Sequence, residues 1–184
     1  METAGEIVAA TKRWLEKAVI GLNLCPFAKA VYVNDQIRYA VSEAETPAAL
    51  LAELIDEMEL LVAAEPEAID TTLLIHPAAL TDFLDYNEFL GVADAALADL
   101  GLEGVLQIAS FHPHYQFADS EPDDIENYTN RSPYPMLHLL RESSVDRAVS
   151  AFPDAADIYE RNKATLRRLG SEGWRRLGLG ARER

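Results

Sequence analysis

Positive charge is what this chain has least of. Lys and Arg number 16 against 31 Asp and Glu, a formal net charge of −15, and no Lys or Arg occurs between Tyr39 and Asn130. Such a surface repels duplex DNA and anionic membranes, so neither is expected as a partner. Cysteine is as scarce: Cys25 stands alone and excludes an internal disulfide framework. No apolar run approaches the roughly 18 residues of a spanning helix, and the start lacks the basic-then-apolar pattern of a signal peptide. The chain therefore reads as cytoplasmic. Neither a glycine-rich dinucleotide fingerprint nor a phosphate loop occurs, which argues against nicotinamide or ATP bound in those ways.

What is present suits one domain, because 184 residues at 49% hydrophobic content can bury a real core. Residues 1–170 read as a single α/β domain and 171–184 as a basic amphipathic tail, since residues 161–184 hold eight of the 16 cations. Leu166, Leu169, Trp174 and Leu177 recur at helical intervals, so this end can dock on its own acidic domain, on a second subunit of a homo-oligomer, or on a partner. Gly180 to Arg184 read as a frayed end.

Thr3 and Glu6 form a capping box ahead of an amphipathic stripe from Ile7 to Leu22. Val31, Val33, Ile37, Tyr39 and Val41 share one parity, which predicts either a hairpin with a three-residue turn over Asn34 to Gln36 or one unbroken strand. Thr46-Pro47 starts a second helix, Thr71 to Ile75 reads as a buried strand, Leu80 to Leu100 as a helix stopped by Gly101, and Val105 to Phe111 as another strand. Two or three helices are then expected near Pro135–Glu142, Val145–Ala151 and Asp154–Leu169, the last ended by Gly170. Apolar strands alternating with helices predict right-handed crossovers and an α/β sandwich whose mixed central sheet has three or four strands.

Two strands end alike, in Ile75-His76-Pro77 and in Phe111-His112-Pro113-His114. Strands running parallel bring their carboxyl ends to one edge of the sheet, where open α/β sheets hold ligands. His76 alone reads as a strand terminator. The segment from His112 to Ser132 has no sustained periodicity, yet Tyr115, Phe117 and Tyr128 make it too aromatic to stay unpacked. Within it Asn127, Asn130 and Arg131 can grip a carboxylate or phosphate; an internal ion pair of Arg131 with Asp119, Asp123, Asp124 or Glu126 is the competing account. On the helix expected after Ser132, Tyr134, His138 and Arg141 share a face at i, i+4 and i+7 and would wall the site. His138 would then approach His112 and His114, as ligands of a divalent metal such as zinc or as acid/base groups. Cys25, in Gly21-Leu22-Asn23-Leu24-Cys25-Pro26-Phe27, is inert core or a nucleophile activated by a histidine from the strand edge, with Asn23 as an orienting group.

Three blocks, Gly21 to Ala28, Ser110 to Phe117 and Asn127 to Pro135, resemble a bacterial family known only as domain of unknown function 1415. The resemblance runs from about Thr11 to Gly170 and implies a bacterial, non-secreted protein, while bringing no activity or cofactor with it. The residues themselves point to an enzyme that hydrolyses or transfers a group on a small anionic metabolite. His112, His114, His138 and Cys25 are its candidate catalytic groups, and Arg131, Arg141, Asn127, Asn130 and Tyr134 its candidate substrate contacts. A ligand-binding or regulatory module without catalysis is the alternative, and a protein whose tail serves only assembly is a third reading.

Overall fold

A computed structural model describes residues 2–152 and 154–179, so the expected fraying of Gly180 to Arg184 lies outside the described residues. Helix α1 (Ala4–Trp14) starts at the expected capping box: the Glu6 N–H donates to Thr3 Oγ1 and the Thr3 N–H to Glu6 Oε2. It continues into a π-helical turn, Leu15–Ile20. There follow α2 (Ala28–Val33), β1 (Ile37–Val41), α3 (Pro47–Ala63), β2 (Thr71–Ile75), α4 (Phe83–Asp99), β3 (Leu106–Phe111), a 3-10 turn (Ile125–Thr129), β4 (Met136–Arg141), α5 (Glu142–Ala151) and α6 (Ile158–Arg176).

The four strands form one mixed sheet in the order β1-β2-β4-β3, with β1 parallel to β2 and β4 antiparallel to both β2 and β3. Strands β2 and β3 therefore point the same way, with β4 between them. On one face Leu50, Leu54, Met58 and Leu61 of α3 and Tyr86, Phe89 and Ala93 of α4 close over Leu74, Leu106, Leu137 and Leu139. Each such fully buried aliphatic side chain contributes about 1.5–3 kcal/mol. On the other face Ile7, Trp14, Leu15 and Ala18 cover Leu73, Ile75 and Met136, with Trp14 edge-on to Phe111 at 5.4 Å. Helices on both faces make the expected α/β sandwich.

Two local expectations are corrected. Residues 31–33 belong to α2, so the shared parity of Val31 and Val33 with β1 marks neither a hairpin nor one strand; the chain leaves α2 through Asp35 at φ 55° and enters β1. The segment 136–141 is a strand, not a helix. Met136, Leu137, Leu139 and Leu140 form an apolar run too short for its period to decide between the two states. The sheet decides it, because β4 satisfies the facing backbone groups of β2 and β3 at once.

The basic end packs on its own chain. Gly170, at φ 66° and ψ 171°, is non-helical and divides α6 into two helices at the expected stop; beyond it Trp174 meets Tyr128 at 4.8 Å, and Lys17 Nζ donates to the Leu177 carbonyl. Among the described residues no helix is long and apolar enough to cross a membrane.

Candidate functional site

The two His-Pro exits flank the start of β4, since Ile75 and Phe111 both pair with Met136. Neighbouring strands lie about 4.8 Å apart, which puts these exits roughly 10 Å from one another. Tyr86 fills the gap: its ring stacks on His76 at 5.9 Å and meets His112 at 5.0 Å. Its hydroxyl donates to the Met136 carbonyl and accepts the Phe111 N–H, tying α4 to β4 and β3.

Both strand-exit histidines are fully buried. His76 Nδ1 lies 2.9 Å from the Ala79 carbonyl and so carries the proton; its Nε2 has no partner among the described residues, and burial lowers the imidazole to about 4. At His112 the arrangement is reversed. The His114 N–H donates to Nδ1 at 3.0 Å, which leaves the proton on Nε2 for the Leu80 carbonyl at 3.1 Å. Burial lowers this imidazole as well. Both ring nitrogens of His112 are thus committed to backbone, and what they fix is the exit of β3 and the turn that presents His114.

His114 itself is exposed, on an open cleft of about 710 Å³ whose wall includes Thr81, Asp82, Gln116, Asp123 and Arg131. Arg131 is held by bonds from Nε to the Tyr115 carbonyl at 3.1 Å and from Nη2 to the Pro122 carbonyl at 2.7 Å, and its guanidinium sits 4.5 Å above the Tyr128 ring. Its Nη1 makes no hydrogen bond among the described residues, and none of the expected acidic partners pairs with it there; Glu126 pairs instead with Arg167 at 2.6 Å. Asp82 caps α4 by accepting the N–H groups of Leu84 and Asp85, so that helix end offers these amides to its own cap. The sequence signal for this wall was a Thr-Asp pair ahead of Phe83, which starting the helix at Leu80 conceals; Leu80 in fact takes φ 55°.

The other sequence candidates lie elsewhere. In a strand, His138 and Arg141 fall on opposite faces, and Tyr134 lies ahead of β4, so the expected helical wall of these three does not form. Thr71 Oγ1 gives its one hydrogen to the Leu139 carbonyl at 2.6 Å and accepts from His138 Nε2 at 2.7 Å. Burial lowers His138 to about 4. With its protonated nitrogen bound to Thr71, His138 does not complete a triad with His112 and His114, and no group of three His, Cys, Asp or Glu among the described residues could hold a metal ion. Arg141 ends β4, about 17 Å along the strand from Met136. There its Nη2 reaches the Leu61, Ala64 and Ile69 carbonyls at 2.6, 2.7 and 2.9 Å and caps the end of α3.

Tyr134 is buried and donates to Glu2 Oε1; burial first, then that carboxylate, push its phenol up to about 12. Asn127 is buried behind the cleft, where its Oδ1 accepts from the Phe117 N–H and the Ser120 hydroxyl and its Nδ2 donates to the Glu121 carbonyl. Asn130 joins the loop to β3, its Nδ2 donating to the Ser110 carbonyl and its own carbonyl accepting the His112 N–H. Cys25 packs against the α1-side core and does not line the cleft, and burial pushes its thiol up, away from the lowered range a nucleophile needs. Of the candidate catalytic and substrate-contact residues, His114 and Arg131 are the pair that the fold brings to one cleft.

The family profile described as "Protein of unknown function (DUF1415)" matches residues 6–176. The chain belongs to this family. The match extends beyond the span of the sequence resemblance at both ends and takes in Trp174. No match to this DUF1415 chain is found among curated proteins or among solved structures.

Proposed function

We propose that this protein is a cytoplasmic enzyme that hydrolyses or transfers a group on a small anionic metabolite bound in the His114 cleft. Arg131 holds the anionic group and His114 moves the proton. The observation that carries the reading is that these two side chains, from opposite ends of one long loop, line the same cleft, each braced by backbone bonds. Arg131 keeps Nη1 free for a carboxylate or phosphate oxygen, the contact a guanidinium makes best. His112, two residues before His114, pins its backbone through Nδ1, and a positioned imidazole is well suited to passing a proton. Asp82, across the cleft, accepts a hydroxyl or ammonium hydrogen from the same ligand.

The test is turnover of a panel of phosphate monoesters and short dicarboxylate esters by the full chain. For whichever compound reacts, His114→Ala lowers turnover by about 100-fold or more with affinity nearly unchanged. Arg131→Lys keeps the charge, removes the fork and weakens binding by about tenfold. Unchanged turnover in His114→Ala refutes the catalytic role. One observation favours the second reading, a binding module: His112 is fully engaged, so one imidazole, not two, faces the cleft. Binding that depends on Arg131 with no turnover of any compound would select that reading.

A further inference from the structure

A second cleft, of about 350 Å³, lies where the Leu22-Asn23 turn faces α6, and it shares no lining residue with the His114 cleft. Its walls carry Arg161, Thr165 and Arg168, which at i, i+4 and i+7 occupy one face of the helix, together with Asn23 and Asn162. The turn is fixed in place: Asn23 adopts φ 53°, and Asn162, 5% exposed, donates from Nδ2 to the Leu24 carbonyl at 2.8 Å. This joins the Gly21 to Phe27 block, which the His114 cleft does not use, to the basic helix.

The charge arrangement calls for a ligand. Lys163, Arg167 and Arg176 are each matched by a carboxylate, from Glu160, Glu126 and Glu172. Arg161 and Arg168 form no ion pair among the described residues, although the chain carries 31 acidic residues, and no carboxylate lines their cleft. Arg168 Nη2 instead lies 3.4 Å from Thr165 Oγ1. The His114 cleft differs, because Asp82 and Asp123 stand in its wall. Two guanidinium groups, a hydroxyl and two amides around a small concavity form a donor-rich surface, whose complement is a compact anion with several acceptor oxygens. About 350 Å³ falls at the small end of the range for metabolite pockets.

We propose that this cleft binds a phosphorylated small molecule, its phosphoryl group held between Arg161 and Arg168. The inference is independent of the reaction assigned to the His114 cleft. Isothermal titration of the full chain carrying Arg131→Ala, which removes the phosphate contact proposed for the His114 cleft, with inorganic phosphate and then with glycerol phosphate, tests it. Saturable one-to-one binding is expected for both probes. Arg161→Ala and Arg168→Ala, both at exposed positions, each weaken binding by about tenfold, and the double variant abolishes it with its circular dichroism unchanged. The proposal is overturned if neither probe saturates below about 10 mM, a range that spans weak metabolite affinities. It is equally overturned if adding the double substitution leaves binding as tight as in the Arg131→Ala chain, or if the Arg131→Ala chain binds neither probe, which would assign the phosphate to the His114 cleft.

Discussion

Acidification should destabilise this protein through His76. The imidazole is fully buried, its Nδ1–H is bonded to the Ala79 carbonyl, and a second proton on Nε2 would place a charged donor where the described residues offer no acceptor. Burial accordingly lowers it from 6.5 to about 4. Between these values the unfolded chain binds a proton that the folded chain refuses, so stability is full above pH 6.5 and is lost as pH falls toward 4. The loss from this residue approaches about 3 kcal/mol, with about 2 kcal/mol gone by pH 5. His138, lowered to about 4 by burial, acts with the same sign. Urea denaturation at pH 7.5, 6.5, 5.5 and 5.0 measures the effect. His76→Asn, which keeps a donor near Ala79 and removes the titration, should flatten the profile by about 2 kcal/mol over that range, whatever its stability at pH 7.5. A natural-chain stability that stays level from pH 7.5 to 5, or an equal slope in His76→Asn, refutes the reasoning.

Two further substitutions separate support from binding. Asn127→Ala strands the Phe117 N–H, while the Ser120 hydroxyl keeps the Phe117 carbonyl and the Glu121 carbonyl keeps the Asp124 N–H; it should cost about 1–3 kcal/mol by urea denaturation and speed proteolytic cleavage within residues 113–124. Arg141→Met leaves the Leu61, Ala64 and Ile69 carbonyls uncapped; a loss of about 2 kcal/mol is expected, with the ligand affinity of the His114 cleft unchanged when titrated at pH 7.5.

How far the sequence revealed this molecule depended on whether a signal was local. Thr3 with Glu6 and Thr46 with Pro47 are complete within a helical turn, and both caps form as read. The His-Pro exits were legible for a similar reason: a buried strand closed by a pre-proline residue is a short-range pattern, and two such strands running the same way share an edge. Segment 136–141 was not legible. Six apolar-rich residues fit a helix as well as a strand, and only the unpaired edges of β2 and β3, fixed far away in the chain, select the strand. Changing its period moved three candidates together, because the face shared by Tyr134, His138 and Arg141 exists only at 3.6 residues per turn. Arg131 shows the opposite case. Its isolation after a long cation-free stretch marked it, and its carbonyl bonds leave it on the cleft instead of in an ion pair.

Inserting β4 also explains where the chemistry can sit. Had β2 and β3 paired directly, His76 and His112 would stand one strand apart at an open edge, the usual place for a ligand in an α/β sheet. With β4 between them the gap doubles and Tyr86 occupies it, its hydroxyl held by Met136 on one strand and Phe111 on the next. The edge becomes a packed aromatic floor, onto which Phe83 closes at 5.4 Å from His112. Chemistry cannot use imidazoles sealed beneath that floor, because neither a ligand nor water reaches them. The first residue past it with a free ring is His114, two positions beyond the strand, and the first cation within reach is the one that the long loop returns at Arg131. Burying the strand-end histidines thus leaves the loop, with His114 and Arg131, as the exposed polar surface that the proposed function uses, and gives His112 a structural part in holding it.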